Sequence, residues 1–141
     1  MKIETILTTK GSTVTTVQAK QPVKAAIDLL VGHNIGALVV TDEEGKPVGI
    51  ISERDVVRAA ARGEDFAQPI SQVMTKRVIV GSPQDDLASV MRTMTEKRFR
   101  HLPIMDRGKL VGIVSIGDMV KAQLDEYQGE IDTLETQILE S

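Results

Sequence analysis

Apolar side chains recur with helical spacing at two places in the chain. Val23, Ala26, Ile27 and Leu30 occupy positions i, i+3, i+4 and i+7, which form one face of an α-helix. Pro22 precedes them and suits the first position of a helix. The same stripe returns 64 residues later as Leu87, Val90, Met91 and Met94. The pattern predicts two equivalent amphipathic helices.

Shorter apolar runs around the first helix predict strands. They cover residues 14–17, 36–40 and 48–51, and a polar turn at residues 42–46 would join the last two runs as a hairpin. A second amphipathic stretch, at residues 52–62, predicts another helix. The order of elements is therefore β-α-β-β-α. Short lead-in helices are expected at residues 3–7 and 70–74, one before each repeat.

The whole β-α-β-β-α unit is duplicated. The offset between the copies is 64 residues up to Asp42 and 63 residues after the following turn, where the second copy is one residue shorter. We expect a mixed α+β fold in which two repeats pack with pseudo-twofold symmetry. The expected boundaries are repeat 1 at 1–62, a linker at 63–69, repeat 2 at 70–121 and a C-terminal helix at 122–141.

The predicted C-terminal helix carries its own apolar seam. Its members are spaced 4, 3, 4, 3 and 4 residues apart, which is the spacing of a coiled coil: Val120, Leu124, Tyr127, Ile131, Leu134 and Ile138. Gly129 in the middle costs about 1 kcal/mol of helix stability relative to alanine. Two interpretations remain open, a seam between two chains and a helix that lies on its own body.

Composition and charge narrow the class of protein. Apolar residues make up 41% of the chain and only Phe66, Phe99 and Tyr127 are aromatic, so the core is expected to be aliphatic. Cysteine is absent, and no apolar run reaches the length of a membrane span, so we expect a cytoplasmic protein without a membrane partner. The net charge of −3 is unevenly spread, since residues 119–141 carry −5, one lysine against six acids, and residues 1–118 carry +2. Nucleic acid is not an expected partner.

One motif closes each repeat. Gly49-Ile-Ile-Ser-Glu-Arg-Asp55 is matched by Gly112-Ile-Val-Ser-Ile-Gly-Asp118, and each copy lies where a strand passes into a helix. Serine followed three residues later by an acid is close to a helix capping box, which needs no ligand. A helix N-terminus also favours phosphate, and a fixed carboxylate can accept hydrogen bonds from a ribose diol. The glycine before each serine would allow a close approach to the strand.

The duplicated motif makes the chain resemble a pair of CBS (cystathionine-β-synthase) domains, a Bateman module. The resemblance covers about residues 1–121 and includes the segment Arg98-Phe-Arg-His-Leu-Pro-Ile104. It implies a non-catalytic regulatory module that binds an adenosine ligand between the repeats. AMP is the first expectation, followed by ATP or ADP, NAD and S-adenosylmethionine. It also implies a homodimer and an effector protein as partners.

The resemblance assigns roles to individual residues. Asp55 and Asp118 would each hold a ribose, with Ser52 and Ser115 near ribose or phosphate and Arg54 beside the first site. The Asp55 site would also receive the basic segment of repeat 2, Arg98, Arg100 and His101. The Asp118 site would receive the uncharged equivalents Asn34, Gly36 and Ala37, and is therefore expected to favour phosphate less. Base contacts would come from Gly36, Ala37, Leu38, Leu102, Pro103, Ile104, Thr15, Thr16, Ile79 and Val80.

Other interpretations of these residues stay open at this point. The basic residues near Arg98, or the Lys76-Arg77 pair, could belong to solvated turns. A metal site is not expected because His33 and His101 are the only histidines. The main alternative function is a structural dimerisation module without a nucleotide ligand. Catalysis is not expected because the sequence shows no P-loop and no pairing of a nucleophile with a base.

Overall fold

A computed structural model describes residues 1–11, 14–76 and 78–140. The described residues form five α-helices and five strands, and Ile70–Gln72 forms a 3₁₀ turn. In chain order the elements are α1 (Ile3–Lys10), β1 (Thr16–Gln18), α2 (Val23–His33), β2 (Ala37–Thr41), β3 (Pro47–Ser52), α3 (Glu53–Ala61), α4 (Leu87–Lys97), β4 (His101–Asp106), β5 (Lys109–Ser115) and α5 (Ile116–Glu140). The predicted mixed α+β fold of two repeats is confirmed. Pro22 lies one position outside α2, as its N-cap.

The two sheets differ in the number of strands. In repeat 1, β1 pairs in parallel with β2, and β2 pairs antiparallel with β3. In repeat 2, β4 and β5 form the equivalent hairpin, but the counterpart of β1 is reduced to a single bridge between Gly81 and Ile104. The next ladder bond would have to be donated by residue 103, which is a proline and has no N–H. The predicted strand around Ile79 and Val80 is therefore absent.

Each repeat has its own aliphatic core. The core of repeat 1 is built from Val17, Val23, Ala26, Leu30, Leu38, Val40, Ile51 and Ile70. The core of repeat 2 is built from Ile3, Ile6, Leu87, Met94, Leu102, Ile104, Val114 and Met119. Both predicted helical stripes face these cores.

The two lead-in segments exchange repeats. The segment before repeat 1 packs on repeat 2, and the segment before repeat 2 packs on repeat 1. Ile3 and Ile6 of α1 are buried in the core of repeat 2, and the Ile3 N–H donates to the Asp85 carbonyl. Ile70 is buried in the core of repeat 1, and its N–H donates to the Gln21 carbonyl. The expectation that each segment serves the following repeat was wrong, because the chain crosses between the repeats at these points.

The glycines that open the two motifs make room for these lead-in segments. A Cβ atom at Gly112 would clash with Leu7 of α1, and one at Gly49 would lie 2.5 Å from Met74 Sδ and 2.9 Å from the Thr75 carbonyl oxygen. Close approach to the strand was correctly predicted, but the group that approaches is a lead-in segment.

Helix α5 runs for 25 residues and leaves the body of the protein after its first turns. Met119 is fully buried and Ala122 packs against the core of repeat 2. From Leu124 onward the seam residues are exposed by about half or more, from 48% at Ile131 to 72% at Ile138. The interpretation of a helix that lies on its own body is therefore wrong.

Candidate functional site

The first motif forms a complete capping box at the start of α3. The Asp55 N–H donates to Ser52 Oγ at 3.2 Å, and the Ser52 N–H donates to Asp55 Oδ2 at 2.9 Å. The Ser52 hydroxyl also donates to Asp55 Oδ2, at 3.1 Å. Asp55 Oδ1 accepts a longer bond of 3.3 Å from the Thr75 hydroxyl. One carboxylate oxygen is thus anchored by the helix cap, and the other is held only weakly.

The second motif repeats this geometry at the start of α5. The Asp118 N–H donates to Ser115 Oγ at 3.0 Å, and the Ser115 N–H donates to Asp118 Oδ2 at 2.8 Å. Here a further donor is present, because Lys10 Nζ lies 2.6 Å from the same oxygen. The capping function inferred from sequence is therefore realised in both copies, and a ligand role has to be compatible with it.

The pKa values of Asp118 and His101 are both shifted by burial and by nearby charged groups. Burial acts to raise the pKa of Asp118, but the hydrogen bonds from Lys10 and from the Ser115 backbone prevail and hold that pKa below its usual value. Burial lowers the pKa of His101, and the positive charge of Lys10 lowers it further. His101 is thus held as the neutral imidazole near pH 7.

A cleft of about 750 Å³ lies between the repeats on the Asp55 side. Repeat 1 lines it with Gly36, Ser52, Arg54 and Asp55, and repeat 2 lines it with Ile79, Arg98, Arg100 and His101. The structure thus brings together eight of the residues singled out from sequence. They converge because residues 34 and 98 end α2 and α4 in the left-handed conformation and turn the chain into the cleft.

Sequence reasoning missed part of the cleft wall. Arg58 lies one helical turn beyond Arg54 on α3, and that i, i+4 spacing was a usable indication. Lys97, one of the basic residues near Arg98 already noted in the sequence, lines the cleft as well. Thr75 reaches it because its segment bridges to Ile50 of β3, which no local pattern indicates. With Arg54, Arg58, Lys97, Arg98 and Arg100 against Glu53 and Asp55, the cleft wall is clearly cationic.

Several predicted base-contact residues do not line this cleft. Ala37, Leu38, Leu102, Pro103 and Ile104 are buried in the strands, where both faces are covered. Thr15 is half-buried and Thr16 exposed at β1, outside the cleft. Val80 is 48% exposed and lines, with Ile79 and Leu102, a second cleft of about 330 Å³. Arg77 of the Lys76-Arg77 pair lies outside the described residues.

The Ser115 and Asp118 pair also lies outside the large cleft. Its carboxylate faces Lys10, which in addition donates to the Ile113 carbonyl at 2.9 Å. Of the uncharged segment expected beside Asp118, Gly36 lines the Asp55 cleft instead, where His101 Nε2 approaches it. The two motifs are therefore alike in their caps and different in their surroundings.

The described residues contain no group of three or more acidic or histidine side chains placed to hold a metal ion. Within the same part of the chain, no helix is both long enough and apolar enough to cross a membrane.

Comparisons with known proteins agree with the fold. The model of the CBS domain matches residues 5–62 and 70–125. The CBS domain-containing protein YhcV of Bacillus subtilis is 36% identical over 117 residues, which cover 82% of this chain and 83% of that protein. The crystal structure of the CBS-domain-containing protein ATU1752 from Agrobacterium tumefaciens is 40% identical with a TM-score of 0.82, and the match covers 87% of this chain and 99% of that one.

A third similar structure contains ligands. It is the CBS domain pair of protein MJ0100 in complex with 5′-methylthioadenosine and S-adenosyl-L-methionine, with 28% identity and a TM-score of 0.78 over 86% of this chain and 98% of that one. Both repeats thus match one family along nearly their whole length, and the chain belongs to the CBS domain family as a tandem pair of CBS domains.

Proposed function

We propose that the chain is a non-catalytic regulatory module that binds a phosphorylated adenosine nucleotide in the cleft between its repeats. The observation that carries the proposal is the convergence, in one cleft, of the Asp55 carboxylate with five cationic side chains. The cleft is also large enough for a nucleotide, since small-molecule sites occupy about 300–1,000 Å³.

Asp55 is suited to hold a ribose. Its Oδ2 atom is fixed by the Ser52 backbone at 2.9 Å, so the carboxylate is oriented before a ligand arrives. Its Oδ1 atom accepts only the 3.3 Å bond from Thr75, which a ribose hydroxyl could replace. Capping and binding therefore use different oxygens of one side chain. A ligand diol would approach the N-terminus of α3, with the phosphate extending toward the arginines of the cleft.

The cationic wall favours ligands with phosphate. Arginine binds phosphate oxygens through two parallel N–H donors, and Arg54, Arg58, Arg98 and Arg100 all line the cleft. The MJ0100 ligands, 5′-methylthioadenosine and S-adenosylmethionine, carry no phosphate. We therefore rank AMP first for this chain, then ADP and ATP, then NAD, and S-adenosylmethionine last.

Binding would connect the two repeats, because the ribose contact comes from repeat 1 and most phosphate contacts come from repeat 2. A ligand that bridges two units favours the arrangement in which both contacts are made. We propose that this shift is transmitted to an effector protein and that the module acts in the cytoplasm as a homodimer, with neither nucleic acid nor a membrane as partner.

The test is thermal unfolding and calorimetric titration with AMP, ADP, ATP, NAD and S-adenosylmethionine. Wild type is expected to gain about 2.7 kcal/mol of stability at a ligand concentration 100 times Kd. Asp55→Ala should abolish that gain. Asp118→Ala is the matched control, since it breaks an equivalent capping box at a residue that does not line the cleft. Equal loss of binding in both variants would contradict the proposal.

A second function, a structural dimerisation module without a nucleotide, is favoured by two observations. Both capping boxes are complete without a ligand, and the seam of α5 is exposed. This alternative predicts no stabilisation by any adenosine ligand and loss of the dimer on truncation at Gln123. Stabilisation by AMP that depends on Asp55 would rule it out as the sole function.

A further inference from the structure

The exposed seam of α5 lies on a different side of the helix from the residues that contact the body. Met119 and Ala122 face the core of repeat 2. The seam starts at Val120, which is 40% exposed, and continues through Leu124 (60%), Tyr127 (50%), Ile131 (48%) and Leu134 (58%). A continuous apolar stripe of this kind on a projecting helix marks an interaction surface.

The helix receives little support from its own sequence. Gly129 lowers helix stability by about 1 kcal/mol relative to alanine. The last turn carries no basic residue, and Glu140 lies at the C-terminal end, where the helix dipole disfavours negative charge. Most helical stability in proteins comes from packing of an apolar face and not from the propensity of the sequence. A second apolar surface is therefore needed to hold α5 straight beyond the body.

We propose that α5 pairs with α5 of a second copy of this chain as an antiparallel two-stranded coiled coil, with its twofold axis at Gly129. In antiparallel helices an a position faces a d position of the partner. The seam satisfies this rule symmetrically about residue 129: Leu124 meets the partner's Leu134, Tyr127 meets the partner's Ile131, and Val120 meets the partner's Ile138.

Charge decides between antiparallel and parallel pairing. Lys121 and Glu135 both occupy e positions, and antiparallel pairing brings Lys121 beside the partner's Glu135 on both sides of the axis. Its one unfavourable contact is Glu130 with the partner's Glu130. Parallel pairing would bring Glu130 beside the partner's Glu135 twice and leave Lys121 without an acid at the corresponding flank. Antiparallel pairing therefore has two attractive contacts and one repulsive contact, whereas parallel pairing has two repulsive contacts and no attractive one.

The antiparallel and parallel pairs predict opposite effects of one substitution on the dimer dissociation constant. Glu135→Lys places a lysine beside the partner's Lys121 in the antiparallel pair, and should raise the dimer dissociation constant roughly tenfold by sedimentation. In a parallel pair the same change would relieve repulsion from Glu130 and lower that constant. Lys121→Glu should also weaken the dimer, and the double variant Lys121→Glu/Glu135→Lys should restore it. Tighter association of Glu135→Lys would overturn the proposal.

Cross-linking tests the register directly, because the chain has no native cysteine. A mixture of Leu124→Cys and Leu134→Cys chains should form a covalent dimer with a short thiol-reactive linker, whereas each variant alone should not. Cross-linking of Leu124→Cys with itself would indicate parallel pairing and overturn the proposal. Sedimentation of wild type as a monomer at all accessible concentrations would overturn it as well, and would leave the seam to a different protein. Gly129→Ala, which faces away from the seam, should retain the dimer.

Discussion

Lys10 Nζ lies 2.6 Å from Asp118 Oδ2, the same oxygen that accepts the Ser115 N–H, and places a positive charge at the second motif. Lys10 is the last residue of α1, so this contact exists only because α1 packs on repeat 2. The Lys10 and Asp118 side chains are 41% and 27% exposed, and such a pair contributes about 0–1 kcal/mol. The contact therefore distinguishes the second motif from the first, and it is weak enough to be displaced.

Removing the lysine should make the two sites more alike. We expect wild type to bind one nucleotide per chain and Lys10→Met to bind two, as measured by calorimetric stoichiometry. The stability of the unliganded protein should change by less than about 1 kcal/mol. Lys24→Met is the matched control, since it breaks the exposed Lys24–Asp28 pair, also 2.6 Å long, away from both motifs. A stoichiometry of one in Lys10→Met would show that the lysine does not block the second site.

Arg100 is expected to recognise phosphate. Loss of a hydrogen bond to a charged group costs about 1.5–3 kcal/mol, so Arg100→Gln should weaken AMP binding by on the order of 10–100-fold. Adenosine, which has no phosphate, should bind wild type and variant equally. The control is Arg92→Gln, because Arg92 lies on α4 but does not line the cleft. Equal losses for AMP and adenosine would mean that Arg100 supports the shape of the cleft and does not contact phosphate.

Replacing the motif glycines by alanine should lower the free energy of unfolding, because their surroundings leave no room for a Cβ atom. Gly49→Ala would force Met74 and the Thr75 backbone outward, and overpacking of this kind costs about 1–3 kcal/mol in denaturant unfolding. Gly32→Ala is the opposite control, because it lies within α2 with nothing within 4 Å and should stabilise by about 0.5–1 kcal/mol.

The second glycine offers a rescue experiment. Gly112→Ala should also destabilise, because its Cβ would overlap Leu7. Leu7→Ala removes the overlapping atoms, so the double variant should lose less stability than the two single losses combined. Strict additivity would show that Leu7 and Gly112 are not in contact in solution.

His101 provides a pH test. Burial and Lys10 lower its pKa below the ordinary value of 6.5. Below pH 6.5, His101 therefore binds a proton more readily in the unfolded chain than in the folded one. The contribution of neutral His101 to stability is thus complete above about pH 6.5 and declines as the pH falls through the window down to the lowered pKa. An NMR titration of the imidazole in a His33→Gln background should give a pKa below 6.5.

The neighbours of His101 set the direction of a further change. Lys10 and Arg100 act to lower its pKa, whereas Asp118 and Glu53 act to raise it. Lys10→Met should therefore shift the titration upward, and Asp118→Asn should shift it downward. A titration that responds to neither variant would place His101 farther from the second motif than the structure does.

Periodicity and repetition in the sequence were enough to predict the two helical stripes and the hairpins, because these features depend on local spacing and on one symmetry relation. The convergence of Asp55 with Arg98 and Arg100 was expected only from the resemblance to CBS domain pairs. The crossing of α1 onto repeat 2 could not be predicted, because both cores accept the same aliphatic side chains. Lys10 was missed for that reason, since its role depends on where α1 packs. The missing strand could have been anticipated from Pro103, because proline interrupts a ladder wherever an N–H is needed.

The position of α1 in the sequence has a consequence for how the chain acquires its structure. The core of repeat 1 is drawn from residues up to Ile70 and Met74, so it is complete once a ribosome has released that part of the chain. Ile3 and Ile6 precede repeat 1 in the chain, yet the core that they join is complete only when Val114 and Met119 have been made, more than 100 residues later. Contacts of such sequence separation form slowly. Helix α1 is thus synthesised before repeat 1 but covered after it, and the nascent chain exposes its apolar face throughout that interval.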